Sequence, residues 1–152
     1  MKIFLDTNVF LDYFEKRGQY SAVSKIFDAV ENGHLEAVIS TGSAYTLCYL
    51  IRMGLKRSGV YRPEQTDRLR DIMNGVLELV SVIDLNHEEI GAAINNSQFD
   101  DLEDSLQHQC AVVHNCDFLI TVNTRDFNCD DIQVLTPESF LEIHGENISN
   151  RK

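Results

Sequence analysis

The chain has 152 residues, 43% of them hydrophobic and 24% charged, and its 24 acidic against 13 basic side chains give a formal net charge of −11. That length is enough for one domain with one substantial core, and no apolar stretch approaches a membrane span or a secretory signal, so a cytoplasmic globular protein is expected. The acidic total argues against uniform coating with phosphate-binding charge, and Cys48, Cys110, Cys116 and Cys129 lack any CxxC or zinc-finger spacing.

Ile3 to Leu5 form an apolar run of the buried parallel-strand kind, and Asp6-Thr7-Asn8 follows with helix-start residues. Asp6 is therefore either a ligand group at the carboxyl end of a first strand or a cap on the helix carrying Val9, Phe10 and Phe14. Val23, Ile26, Phe27 and Val30 mark a second helix, with Gly33 as its C-cap. A strand over Leu35–Ile39 leads to helices over Ser43–Lys56 and Pro63–Leu77, then a strand over Leu79–Ile83 and a helix over His87–Ile94. A helix beginning at Leu102 presents Leu102, Leu106, Cys110 and Val113 as its apolar stripe. Strands over Phe118–Val122 and Ile132–Leu135 precede a last helix, with Thr136 as cap and Pro137 in its first turn. This alternation predicts an α/β fold, a parallel sheet of about five strands covered by helices, in one domain over 1–145. The polar tail 146–152 is expected to fray.

Charge is segregated along this framework. Between Phe99 and Ile132 the carboxylates Asp100, Asp101, Glu103, Asp104, Asp117, Asp126, Asp130 and Asp131 face Arg125 alone. From 52 to 70 the balance reverses, and Arg52, Lys56, Arg57, Arg62, Arg68 and Arg70 are candidates either for an RNA-facing cluster or for an ordinary solvated face. Asp104 projects away from the apolar stripe of its helix, whereas Asp101 is placed to cap it. Asn123 and Asp126 follow another strand end and can serve the same site as Asp6 or simply form a turn. Carboxylates from two strand ends and a helix start can converge in such a sheet. Their mutual repulsion calls for a cation, and all-oxygen donors suit Mg²⁺ or Mn²⁺. Such a metal activates water and offsets phosphoryl charge in phosphodiester cleavage. The histidines are scattered with no pair suggesting a ligand set, and no cysteine is assigned a role. Tyr13, Phe14, Tyr45 and Tyr49 are read as core-packing or dimer-facing.

LDTNVFLD (5–12), DLEDSLQ (101–107), CDFLITVNTRDF (116–127) and LTPESFLEI (135–143) occur in an order that resembles PIN-domain proteins, small metal-dependent ribonucleases that include many toxins of toxin–antitoxin pairs. The resemblance implies a three-layer fold around a parallel sheet with a central acidic pocket for one or two divalent ions. Carried over by position, Asp6 and Asp104 are the metal ligands, with Asp101 as near neighbour and Asn123 at the fourth position, Asp126 close behind. Thr7, Asn8 and Thr46 become substrate-positioning groups. The expected function is a Mg²⁺- or Mn²⁺-dependent endoribonuclease with an RNA substrate, a cognate antitoxin and a homodimeric state. Two departures stand out: about Thr46 replaces an acid of many members, and Asn123 stands where another acid is usual. They favour as a rival a catalytically weakened module acting through protein–protein binding.

Overall fold

The computed structural model describes residues 1–149. In chain order the elements are β1 (Lys2–Leu5), α1 (Thr7–Phe14), α2 (Tyr20–Glu31), β2 (Glu36–Ser40), α3 (Thr41–Arg57), α4 (Glu64–Leu79), β3 (Ser81–Ile83), α5 (His87–Ile94), α6 (Leu102–Val113), β4 (Phe118–Ile120), a 3-10 turn (Thr124–Asp126), β5 (Gln133–Leu135) and α7 (Pro137–Ser149). The strands form one five-stranded sheet in the order β3-β2-β1-β4-β5, and every neighbouring pair is parallel.

Side chains alternate across this sheet with the period of two that a strand imposes. Ile3, Leu5, Ala37, Ile39 and Ile120 enter one core with residues of α1, α2, α3, α4 and α7. Phe4, Val38 and Leu119 point the other way, into a second core with Cys110 and Ala111 of α6 and with Phe99, Phe127 and Ile132. Helices thus cover both faces, and the short strands are apolar on both sides. The chain first runs outward from β1 through β2 to β3, then crosses back to place β4 on the other flank of β1. That reversal opens a crevice at the carboxyl ends of β1 and β4, the position where open α/β sheets bind ligands.

The helix limits follow local chemistry. Ser40 caps α3 by accepting from the Ser43 N–H at 2.9 Å, and the Thr136 hydroxyl accepts from the Ser139 N–H at 3.1 Å. Asn86 and Glu89 close a capping box on α5. After α2, Gly33 takes a φ of +72° that a side chain would strain.

Two expectations differ from the structure. Leu102 is 51% exposed, and α6 instead buries Ser105, Gln107 and His108 beside Cys110 and Ala111. The face of α6 that meets the sheet also borders a polar crevice, so its inward positions are partly polar; the Ser105 hydroxyl donates to the Ala93 carbonyl at 2.7 Å. The last helix continues through Ser149 with Ile148 buried; the end of the expected tail, 150–152, lies outside the described residues.

Leu119, fully buried on the central β4, should cost about 2–5 kcal/mol of unfolding free energy when changed to Ala. Urea denaturation of the variant checks this.

Candidate active site

Asp6 leaves the end of β1 and its N–H bonds the Ile120 carbonyl of β4 at 2.9 Å, which fixes it between the two central strands. The residue is 2% exposed, and its side chain makes no N-cap hydrogen bond to α1, although the N–H groups of Asn8 and Thr7 lie near its carboxylate and favour its charge. One carboxylate oxygen instead accepts from the Thr121 hydroxyl at 2.8 Å. Burial pushes the Asp6 pKa upward, with the Thr121 hydroxyl the strongest opposing influence.

The crevice above Asp6 is an open cleft of about 630 Å³, lined by acids from three segments. The start of α6 contributes Asp101, Glu103 and Asp104, and the 3-10 turn contributes Asp126. Asp101 does cap α6, its Oδ1 accepting from the N–H groups of Glu103 at 2.8 Å and Asp104 at 3.3 Å. The cap and the helix dipole hold this acidic turn in place at the rim. Half-buried Asp104 is pushed up to about 7, first by burial and then by the charges of Asp101, Asp6, Asp126 and Glu103. Among the described residues no Lys, Arg or His lines the cleft.

Asn123 and Asp126 exchange the order expected of them. Asp126 lines the cleft, and Asn123 holds it from behind through its side-chain amide. The Asn123 N–H also donates to the Thr121 hydroxyl, at 3.1 Å. One buried threonine therefore ties together Asp6 and the strand-end loop that carries Asp126.

Thr7 and Asn8, at the start of α1, and Thr46, on α3, all line the cleft. Glu103 and Gln107 line it too, and Thr121 supports it from below, although none of these three is among the site residues expected from the sequence. Burial raises the Glu103 pKa, the Thr46 hydroxyl opposes that rise, and Asp101 and Asp6 add to it. Glu103 thus brings a carboxylate to the Thr46 hydroxyl. The one clue to Gln107 is its place a helical turn after Glu103 and Asp104, on the same face. Thr7 Oγ1 and Gln107 Oε1 are both buried and without a hydrogen-bond partner. Such orphaned oxygens are uncommon in a folded interior.

Around the rim, Tyr45 and Tyr49 of α3 are 75% and 55% exposed, which removes the core-packing half of the expectation for them; their helix turns this face toward the cleft. Tyr13 does pack, against Tyr20 and Phe27. Arg52 lies over the Tyr49 ring. Of the other basic residues, Arg57 pairs with Glu15, Arg68 with Glu64 and Arg70 with Asp67, whereas Lys56 and Arg62 form no ion pair among the described residues.

A family model described as PIN domain matches residues 2–125. The chain is similar to Ribonuclease VapC1 of Aquifex aeolicus (strain VF5), 28% identical over 148 residues that cover 93% of this chain and 94% of the relative. It also resembles the crystal structure of VapBC2 from Rickettsia felis bound to a DNA fragment from their promoter. The TM-score is 0.63 at 14% identity, covering 90% of this chain and 98% of that one, a likeness of fold. With a sheet of five parallel strands, acids at its central carboxyl ends and a family match from β1 into the 3-10 turn, the chain belongs to the PIN-domain family.

Proposed function

We propose that this protein is a divalent-metal-dependent endoribonuclease, acting as the toxin of a toxin–antitoxin pair. The observation that carries this reading is a cleft of five carboxylates with no cationic side chain, bordered by two buried oxygens without partners. Family membership and the similarity to a ribonuclease support it. A homodimeric state and a cognate antitoxin belong to the same reading.

The donor set fits Mg²⁺ or Mn²⁺: it is all oxygen, strongly anionic and undersupplied with protons or cations. Asp6 and Asp104 would hold the ion, with Asp101, Glu103 and Asp126 around them. When bound, the metal lowers the pKa of water and offsets charge developing on the phosphoryl oxygens. The chain's own groups do the positioning. Thr121 fixes the orientation of the Asp6 carboxylate, and Asn123 fixes that of Asp126. Thr7 and Asn8 from α1 and Thr46 from α3 face the same space and serve to position the substrate. Tyr45 and Tyr49 offer faces on which unpaired bases stack, beside the cation of Arg52. Lys56, Arg57, Arg62, Arg68 and Arg70 do not line the cleft and are the remaining candidates for RNA contact, the pairing of Arg57, Arg68 and Arg70 with acids reducing their share.

The first test is cleavage of a mixed-sequence labelled RNA with Mg²⁺ or Mn²⁺. Cutting should vanish with EDTA and in the Asp6→Asn/Asp104→Asn double variant. Wild-type rates in that variant would sink the assignment. A well-folded wild type that cuts with neither metal would instead favour the binding module to which Thr46 and Asn123 point.

Replacing Arg52, Lys56 and Arg62 by Ala should weaken RNA binding and flatten its salt dependence by about 0.7 in log–log slope for each phosphate no longer neutralised. An unchanged slope would return these residues to an ordinary solvated face.

The crowded acids also set a pH dependence. Asp104 titrates near 7 in the folded chain against a usual 3.8, so the metal-free folded state holds the extra proton between those values. Its contribution to stability is present below the lower value and is lost as pH rises through about 7. In EDTA, melting temperature should fall from about pH 5 to pH 8, and Asp104→Asn should raise it at about pH 8. Mn²⁺ should restore the wild type at that pH but not the variant, as read by thermal melting.

A further inference from the structure

One turn along α6 from its acidic start, three unlike donors meet. His108 of α6, Cys129 and Asp131 place one imidazole nitrogen, one sulfur and one carboxylate oxygen within 4.8 Å of one another. We propose that His108, Cys129 and Asp131 form a second metal site, selective for zinc or a comparable thiophilic divalent ion, which ties the segment after the 3-10 turn to α6. The site is separate in residues and in chemistry from the acidic cleft, and it does not rest on the nuclease reading.

The donor types decide the class of metal. A nitrogen, a sulfur and an oxygen suit zinc or cobalt, whereas Mg²⁺ and Mn²⁺ prefer the all-oxygen set of the cleft. Tetrahedral bonds of about 2.0–2.3 Å put neighbouring donor atoms roughly 3–4 Å apart, a spacing that small side-chain rotations supply from the present arrangement. His108 Nε2 already lies 2.6 Å from Asp131 Oδ1. Its Nδ1 is buried without a partner, so the ring's polar interactions depend on Nε2 alone.

The surroundings of the three donors are apolar on the side of His108 and open to solvent at Asp131. His108 is 3% exposed, and its ring packs on Phe99 at 4.9 Å, with Phe127 closing the apolar wall. The Cys129 sulfur sits 4.0 Å from the carbonyl oxygens of both Phe127 and Ile132. Asp131, with its side chain 54% exposed, leaves access from solvent, and a zinc ion keeps its fourth position for water. On binding, the Cys129 thiol releases its proton to solvent, the hydrogen bond between His108 Nε2 and Asp131 is given up as the ring's proton moves to Nδ1, and the freed Nε2, the thiolate and the carboxylate bond the metal with no change of oxidation state. His108 stands one turn beyond Asp104 on α6, and Cys129 follows shortly after Asp126. An ion here would therefore brace both acidic segments from behind.

Cobalt reports on the site directly, because a thiolate–Co²⁺ bond gives a charge-transfer band in the near ultraviolet. The full chain, stripped with chelator and titrated with Co²⁺, should develop this band at one equivalent, and Zn²⁺ should abolish it. The band should persist in Cys116→Ser and in Asp6→Asn/Asp104→Asn, which separates it from the cleft, and vanish in Cys129→Ser. No band in the wild type, or one that survives Cys129→Ser, would overturn the proposal and leave His108–Asp131 as a simple hydrogen bond. Should Cys129→Ser fail to fold by circular dichroism, Asp131→Asn at the exposed position decides instead. At least about tenfold weaker Co²⁺ binding is expected there, and unchanged affinity would overturn the site.

Discussion

A buried carboxylate at the centre of a parallel sheet is the constraint around which this molecule is arranged. Asp6 is almost wholly shut off from bulk water, and burial alone disfavours its charge. Everything near it either supports that charge or adds to the repulsion. Thr121 supports it with a hydroxyl donated from the neighbouring strand end. The start of α6 and the 3-10 turn bring further carboxylates toward it. An arrangement so costly for a lone protein is the kind of strain that folds retain at sites of function. The sheet order makes it possible, because only at the chain reversal beside β1 do two strand ends and a helix start share one crevice.

Much of the architecture is legible because its signals are local and redundant. Short apolar runs bounded by polar residues mark five strands, and the i, i+3, i+4 spacing with Gly33 behind it marks α2. Caps are equally clear: Thr136 and Asp101 do what their position and type predict. The failures are of another kind. The exposure of Leu102 and the burial of Gln107 and His108 depend on which face of α6 meets the crevice. No periodicity within the helix encodes that relation. Tyr45 and Tyr49 fit either a core or a partner-facing surface by spacing alone, and their helix turns them outward at the cleft.

Within the site, Asp6, Asp104 and Asp126 are marked by their places at strand and helix ends. Thr121 is hidden because a threonine in an apolar strand reads as an ordinary β-former. Glu103 reads as a complement to the helix dipole, and its approach to Thr46 spans two elements far apart in sequence. His108 and Asp131 are 23 positions apart, and no ligand-spacing rule joins them with Cys129. Proximity made by topology is invisible to motifs, which record only neighbours along the chain.

The outermost strands of the sheet carry a consequence of their own. β3 and β5 are three residues each, so the unpaired backbone they offer at either edge is very short. A second chain aligning there would gain few ladder bonds, and sheet-to-sheet extension is correspondingly weak. Assembly of this protein, with itself or with another chain, is left to its helical faces, whose side-chain chemistry can discriminate partners in a way that an exposed strand edge cannot.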